Sequence, residues 1–498
     1  MDDVCRAFEE HLSEPRGRGA LAGAPDSGAA GGAACGDLIR VAVRVEDGVV
    51  AEAGFDASGC GAVVAAGSAV VELVSGAPLL DAARVGPNDI AEELGGLLPG
   101  KAHAASLAAD ALHRALGAFA KHSCDVDGNS YGQRRTSARR RTLVAMSGGV
   151  DSAVAAQLAL EAGDDVVAVT LELWSDPNGD GSKSCCSPQA LTGARALAHR
   201  MGIPHITLDL REQFRREVVD DFVAAYEAGR TPNPCVRCNG LVRFGEMLAL
   251  ADAVGADRLA TGHYARIVQD EQGPLLEAAN DGNKDQAYML ARLAPGDLRR
   301  LWFPLGEMLK PQVRELARQA DLPVAAKPDS QDLCFLAGIR KTDLLERMRT
   351  RPPKPGKVVT LDGTVLTEHA GIDRFTIGQR RGVGVANGAP LYVVGKDPES
   401  GRVTVGPREA LAVQSLDVTA VELYRDASQI DGVKLRYRSP AVGCSLPAEL
   451  PAGRYPRIAV MLNEPFIAAA PGQVACFMSG DRVVGHGLIA ETEIADAA

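Results

Sequence analysis

The 498-residue chain carries 53 Lys and Arg against 64 Asp and Glu, a net charge of -11, with 46% hydrophobic and 23% charged residues. At about 150 residues per domain this is the composition of a globular chain of several domains, and it excludes a disordered or fibrous one. No apolar run approaches the roughly 20 residues of a membrane span, and the acidic start 1–14 is unlike a secretory leader, so a cytoplasmic protein without membrane contact is expected. Eleven cysteines, one left over after any pairing, read as reactive or metal-binding thiols of a reducing compartment.

Residues 17–34 are rich in Gly and Ala with almost no large apolar side chain and read as disordered, and 1–29 is expected to form a disordered segment ahead of the first domain. From Asp37 the chain alternates through Leu38, Val41, Val43 and Val45, turns at Asp47-Gly48, and runs apolar again over 49–55, which predicts a hairpin. Helical periodicity follows over 62–74 and 102–116, and the polar, basic stretch 121–141 reads as a linker. Strands at 142–146, 166–173, 205–210 and 258–261 then alternate with helices at 153–161, 188–201, 214–228 and 241–254. That rhythm predicts a doubly wound parallel sheet with ligands at the carboxyl ends of its strands. After about residue 351 helices nearly vanish. Alternating runs at 391–394, 403–405, 433–437 and 457–462 predict small β domains, with breaks near Gly356 and Leu416.

The stretch Ser147-Gly148-Gly149-Val150-Asp151-Ser152 lies between the first of these strands and its helix. A strand ending in small residues and opening a helix offers backbone N–H groups and a helix dipole to one point, which suits the anionic part of a nucleotide. No Lys follows the glycines as in a Walker loop; Ser147 and Ser152 offer hydroxyls, and Asp151 a carboxylate able to ligate magnesium. The pattern resembles the pyrophosphate loop of the N-type ATP pyrophosphatases.

Thr231-Pro232-Asn233-Pro234-Cys235-Val236-Arg237-Cys238-Asn239 sets a C-x-x-C in a proline-stiffened loop ahead of a helix, where thiolate character is promoted. A further thiol stands in Asp329-Ser330-Gln331-Asp332-Leu333-Cys334-Phe335. Together with 260–264, 283–286, 375–380, 392–397, 436–438 and 471–473, these segments resemble the tRNA-specific 2-thiouridylases over residues 142 to about 490. The resemblance implies adenylation of the oxygen on carbon 2 of a wobble uridine, loss of AMP and sulfur transfer from a persulfide. Cys334 would carry the persulfide and Cys238 would be its partner thiol. Ala145, Met146, Ser147, Gly148, Gly149, Val150, Asp151, Ser152, Leu171 and Gly262 would hold ATP with magnesium. Asn233, Pro234 and Cys235 would border the flipped base, and His263, Lys284, Asp285, Gln286, Arg436, Tyr437 and Gln473 would touch tRNA. Partners implied are tRNA and a sulfur donor, a cysteine desulfurase or a relay protein. Two basic clusters could serve the RNA or be solvated linker: Arg134, Arg135, Arg139, Arg140 and Arg141, then Arg347, Arg349, Arg351, Lys354 and Lys357.

Two positions depart from the family pattern. Cys235 stands where an Asp is expected, which removes a carboxylate general acid and makes a set of three thiols, Cys235, Cys238 and Cys334, able to hold an iron-sulfur cluster with an open site. Gly193 stands where an acidic residue is usual. Ala34-Cys35-Gly36-Asp37, Ser58-Gly59-Cys60-Gly61 and Lys101-Ala102-His103-Ala104 resemble the NifU/IscU-type iron-sulfur scaffold domain, with Ala104 in place of its third cysteine. Cys35, Asp37, Cys60 and His103 would bind zinc or a labile cluster, or the domain is degenerate and serves for docking. The expected architecture is thus multidomain α/β. It comprises an α+β scaffold-like domain (30–118), a basic linker (119–141), a parallel-sheet ATP pyrophosphatase domain (142–355), a central β domain (356–416) and a C-terminal β-barrel (417–498). The rival reading of the whole is a cluster-assembly or sulfur-carrier protein with a regulatory nucleotide domain.

Overall fold

Alternation buries Ile39, Val41, Val43 and Val45 on one face of a strand and, Ala42 apart, leaves the other face with Leu38, Arg40 and Arg44 outside, so Ile39 takes the inward place expected of Leu38. The computed structural model describes residues 2–32, 36–126, 139–176, 187–329, 333–336, 338–384, 389–447 and 449–491. Its N-terminal module is an antiparallel sheet of β1 (Ser27–Gly31), β2 (Leu38–Glu46) and β3 (Val49–Ser58). Helices α1 (Asp2–Ser13), α2 (Gly61–Val74), α3 (Leu79–Ala82), α4 (Pro87–Glu93) and α5 (Ala102–Val126) complete it. At the β2–β3 turn Asp47 and Gly48 both take positive φ, 50° and 76°, as a tight hairpin turn requires.

The expected disorder of 1–29 is not what the structure shows. Residues 2–13 form α1, which docks on α2 with His11 Nδ1 2.9 Å from Ser68 Oγ. The small residues of β1 have a packing reason: a Cβ on Gly28 would lie 2.3 Å from the Ala111 carbonyl of α5, so only a strand almost without side chains fits against that helix. The expected linker is also shorter, since α5 continues to Val126; residues 127–138, with Arg134 and Arg135, lie outside the described residues.

The parallel sheet is built from β4 (Arg141–Ala145), β5 (Asp165–Glu172), β6 (His205–Asp209) and β7 (Arg258–Thr261), with β8 (Arg266–Asp270) and β9 (Gly273–Glu277) leading to its last strand, β10 (Leu301–Trp302). The order is β10-β7-β4-β5-β6, all pairs parallel, so the chain reverses its direction of winding at β4. One face, with Val144, Val166 and Ala168, packs under α6 (Val150–Glu161), α7 (Pro188–Arg200) and the helix Lys310–Gln319. The other, with Leu143, Val167, Val169, Ile206 and Leu208, joins one continuous core with Leu112, Leu116 and Phe119 of α5.

Helix α5 is therefore a shared wall. A Cβ on Gly117 would lie 1.9 Å from the Thr207 carbonyl, the mark of a helix pressed directly on β6. Around this contact Arg114 Nε meets Glu172 at 3.1 Å, Arg195 pairs with Asp110, and the rings of His113, His199 and His205 meet tilted or edge-on with centroids 5.3 to 6.5 Å apart. Burial holds these three imidazoles below their ordinary pKa, and the Arg195 charge adds to it.

The central β domain is a four-stranded sheet of Gly356–Thr360, Val365–His369, Tyr392–Asp397 and Arg402–Gly406. Its successor starts earlier than the expected break at 417, with the strand Ala412–Leu423, and it borrows from the nucleotide domain: β9 pairs with the strand Arg482–Ile489, so hairpin β8–β9 extends the barrel sheet. Pairing of Ala412–Leu423 with both Gly453–Ile467 and Arg482–Ile489 closes the sheet on itself. Arg425, 2% exposed, ties the hairpin in with two hydrogen bonds to Asp270 at 2.7 and 3.0 Å and one to the Gly273 carbonyl.

Candidate nucleotide and thiol site

The reversal at β4 opens a cleft of about 540 Å³ at the carboxyl ends of the strands. Of the expected nucleotide residues, Ala145, Met146, Ser147, Gly149, Val150, Asp151, Ser152, Leu171 and Gly262 line it. Gly148 takes φ +69° and turns the loop; its carbonyl accepts a hydrogen bond from Lys327 Nζ at 2.8 Å. Ser152 Oγ accepts from Ser147 N and donates to the Gly149 carbonyl, both at 3.1 Å, so the loop is preset before any ligand arrives. Gly262 has to be small, because a Cβ there would come 2.7 Å from Ser152 N at the start of α6.

The charges around the loop were only partly visible in sequence. Asp151 is held from behind by Lys310, whose Nζ donates to its two oxygens at 2.7 and 2.8 Å, and by the Tyr264 hydroxyl at 2.8 Å. Asp329 takes Lys284 at 2.7 Å, Lys310 at 2.9 Å and Arg314 at 2.9 Å; burial works to raise its pKa, but Lys284 and Lys310 overcome it and lower the value to about 2. Among the described residues, Lys284, Lys327, Arg243 and Arg438 line the cleft with Asp151 and Asp329 against them, so that part of its lining is cationic. Lys310 opens the helix Lys310–Gln319, at the dipole end that disfavours a cation, and is almost buried; only its two carboxylates explain it. No local pattern announces such a residue.

Asn233 caps the short helix Pro234–Cys238, accepting from Val236 N at 3.2 Å, with Pro234 in the first helical position where its missing N–H costs nothing. Cys238 is buried in the main core, Cys334 is half-buried against the same core, and Cys235 is half-buried near Tyr437. Phe335, buried, anchors the Cys334 segment by edge contacts to Phe214 and Phe222 at 6.0 and 5.1 Å. Ser330, Gln331 and Asp332 lie outside the described residues.

The expected tRNA residues divide. His263, Lys284, Gln286 and Tyr437 line the cleft. His263, with Nδ1 2.7 Å from Thr261 Oγ1, is held neutral: burial, then the Arg243 charge, lowers its pKa to about 3. Asp285 is turned inward, accepting from Ala279 N and Ala287 N at 3.1 Å and pairing with Lys434 at 3.3 Å. Gln473 donates to the carbonyls of Thr231 and Pro232 at 2.8 and 3.3 Å, clamping the barrel to the cysteine loop, and Arg436 bonds the carbonyls of Ile467 and Ala468. In the basic clusters Arg141 is buried on Asp165, Arg347 pairs with Asp176, and Arg349 lies near Glu346 and Asp373.

Among the described residues, the groups of three His, Cys, Asp or Glu ligand atoms within 4.8 Å of one another are Asp37–Cys60–His103 and His11–Glu72–Glu93. Cys235, Cys238 and Cys334 do not form one. Asp37 accepts from Cys60 N and from His103 Nε2 at 2.7 Å, and its pKa falls to about 2, first from that backbone bond and then from the imidazole. Cys35 lies outside the described residues.

A strand-loop-helix nucleotide site on a parallel sheet that reverses at the loop defines a nucleotide-binding domain of the pyrophosphate-loop class. Family models match the chain throughout: the NifU-like N terminal domain over 6–125, the tRNA methyl transferase HUP domain over 140–338, the tRNA methyl transferase PRC-barrel domain over 343–407 and the aminomethyltransferase beta-barrel domain over 411–489. A bifunctional protein NifU/MnmA of Rubrobacter xylanophilus is 45% identical over 97% of this chain and 98% of its own length. A tRNA-specific 2-thiouridylase MnmA of Rhodospirillum centenum is 43% identical over 74% of this chain and 96% of its own. Among solved structures, an NMN synthetase from Francisella tularensis matches at 19% identity with a TM-score of 0.26, over 43% of this chain and 79% of its own. The chain belongs to the MnmA family of tRNA-specific 2-thiouridylases, in its bifunctional form with an N-terminal NifU-like domain.

Proposed function

We propose that the protein is a cytoplasmic tRNA-uridine 2-sulfurtransferase that spends ATP to replace the oxygen on carbon 2 of a wobble uridine by sulfur. The observation that carries this is the meeting, in one cationic cleft, of the preset loop 147–152 with His263, Lys284, Tyr437 and the Asp329 end of the Cys334 segment. ATP lies along the loop and the start of α6, and the uridine oxygen attacks the α-phosphorus as pyrophosphate leaves. The terminal sulfur of a Cys334 persulfide then attacks carbon 2 and AMP departs. Cys238 thiolate attacks Cys334 Sγ, the S–S bond breaks, and the products are thiouridine and a Cys238–Cys334 disulfide, which an external thiol reduces. A donor protein recharges Cys334 with sulfur. His263, Lys284, Gln286 and Tyr437 contact the RNA, while Asn233, Pro234, Asp285, Arg436 and Gln473 shape the surface around Cys235.

Asp151 is a cleft carboxylate that would hold magnesium, which would offset phosphate charge there, but Lys310 already pairs with it, so the ion would share that carboxylate with the ammonium. An iron-sulfur cluster on Cys235, Cys238 and Cys334 does not suit the described arrangement, and no step is drawn through it. Mass spectrometry of tRNA nucleosides tests the main reading: Cys334→Ser is expected to abolish 2-thiouridine while ATP still binds, and unchanged thiouridine overturns the assignment.

The group Asp37–Cys60–His103 supports a second role for the NifU-like module. A carboxylate, a thiol and an imidazole within 4.8 Å are competent zinc or cluster ligands, and Asp37 is ionised at any physiological pH. Metal analysis of the purified protein is expected to lose its zinc or iron on Cys60→Ser; an unchanged content leaves the module a docking domain.

A further inference from the structure

Three helices of the N-terminal module meet at one imidazole. His11 of α1, Glu72 of α2 and Glu93 of α4 each offer a ligand atom, and these atoms lie within 4.8 Å of one another. His11 Nε2 stands 3.9 Å from Glu72 and 3.7 Å from Glu93, beyond hydrogen-bond reach. The ring is 4% exposed, and its Nδ1 is 2.9 Å from Oγ of Ser68, a fully buried hydroxyl that also accepts from Arg16 N at 2.9 Å. Its orientation is thereby fixed, with Nε2 aimed between two carboxylates. Burial, then the Arg16 charge, lowers the imidazole pKa, so the ring is neutral at pH 7. In the tautomer that donates Nδ1–H to Ser68, Nε2 turns a lone pair toward two anions, which is a cradle of three donors for a cation. Glu72 also pairs with Arg16, whose guanidinium takes Glu10 at 2.7 Å as well.

We propose that His11, Glu72 and Glu93 form a zinc site that pins α1 to α2 and α4, separate from the Asp37–Cys60–His103 group. An imidazole with two carboxylates suits a divalent first-row cation such as zinc, whereas a magnesium or calcium site is built of oxygen alone. Zinc takes nitrogen and oxygen at about 2.0–2.2 Å, so its neighbouring ligands stand roughly 3.4 Å apart, and the two partly exposed glutamates close to that spacing by small side-chain turns. The Ser68 contact is the outer hydrogen bond that a metal-bound imidazole characteristically makes. The two ligand groups lie at opposite ends of α2. Cys60 caps its start and Glu72 lies in its last turn, roughly 18 Å further along the axis at about 1.5 Å per residue, so one ion cannot serve both. Zinc at Glu72 displaces Arg16, whose side chain is exposed to water and keeps Glu10; the guanidinium is a built-in competitor that weakens the site. At 12 residues α1 is marginal as an isolated helix, so a tie to two neighbours governs how long it stays docked.

Hydrogen exchange of the peptide 2–13, read by mass spectrometry in the full chain with and without zinc, tests this. In the unmodified protein, zinc at about ten times its half-saturating concentration is expected to slow exchange about tenfold, the factor 1 + [L]/Kd, while magnesium at that concentration has no effect. His11→Gln and Glu93→Gln are each expected to lose this protection and one equivalent of bound zinc by elemental analysis after dialysis. Glu93 is partly exposed, so its variant decides the matter even where His11→Gln loosens α1 by itself. Cys60→Ser, at the other end of α2, is expected to keep the protection. Arg16→Gln removes the competitor, spares the backbone bond to Ser68, and is expected to lower the half-saturating zinc concentration about threefold, as loss of one exposed ion pair allows. The proposal is overturned if zinc leaves the exchange of 2–13 unchanged in the unmodified protein, if magnesium protects as well as zinc, if Glu93→Gln keeps the protection, or if Cys60→Ser abolishes it.

Discussion

The modules on either side of the parallel-sheet domain both share its main core, through α5 on one side and through Val474, Cys476, Met478 and Val483 on the other, and they differ in the polar contacts added to it. On the N-terminal side α5 lies between two sheets, with Ala108, Leu112, Ala115, Leu116 and Phe119 in one core with Val167, Val169, Ile206 and Leu208. On the C-terminal side the barrel adds polar threads: Gln473 on Thr231 and Pro232 and Thr231 N on the Pro471 carbonyl at 2.8 Å reach the cysteine loop, and the Tyr288 hydroxyl bonds the Val474 carbonyl at 2.9 Å beyond it. Apolar contact scales with area and sets whether the domain stands; hydrogen bonds are worth about 1 kcal/mol each and set where its groups point. The α5 wall is a matter of stability, and the bonds to the cysteine loop are a matter of chemistry.

That contrast can be broken outright by deleting residues 2–126. The cut bares the face of β5 and β6, and the product is expected to be aggregated or molten by gel filtration and near-UV circular dichroism; a folded monomer would erase the distinction. Acid is expected to act next most strongly. Burial depresses the pKa of His113, His199 and His205 in the folded state, so these groups gain protons on unfolding. Stability is then lost as pH falls below the unfolded value of about 6.5, by up to ~1.4 kcal/mol per pH unit per group. Urea titrations between pH 7 and 5 should show this fall, with a shallower slope in His199→Gln. Leu112→Ala removes one buried side chain of the wall and is expected to cost about 2–5 kcal/mol in the same assay, with thiolation by the folded fraction unaltered. The smallest effect on stability belongs to the other side: Gln473→Ala removes two bonds to the cysteine loop, at about 1 kcal/mol each, and should leave the melting temperature within a few degrees. Its thiolation rate should nonetheless drop about tenfold, and a normal rate would make the clamp a mere contact.

Local grammar carried much of this molecule. The loop 147–152 declared itself by its flanking strand and helix, and the two cysteine segments by their prolines and spacing. Periodicity found the parallel strands because both faces of each are apolar. It could not show what covers them: α5 is rich in Ala and keeps only a narrow half-buried stripe, Ser106, Asp110, Arg114 and Ala118, so its sequence does not mark which of its apolar sides meets which sheet. The Gly and Ala of 27–31 looked like a chain too poor in apolar surface to fold, whereas they are small because α5 presses on them. Lys310 was silent for another reason. An ion pair between residues far apart in sequence leaves no local trace.

The hairpin β8–β9 sets an order on the making of the protein. Its partner strand, Arg482–Ile489, is translated some two hundred residues later, so the emerging nucleotide domain carries an unpaired strand edge until the end of synthesis. Hairpin and cleft share one short connection, Gly262 to Ala265. A chain that stops early therefore leaves the wall of its own cleft untied, and an incomplete product is poorly placed to bind tRNA.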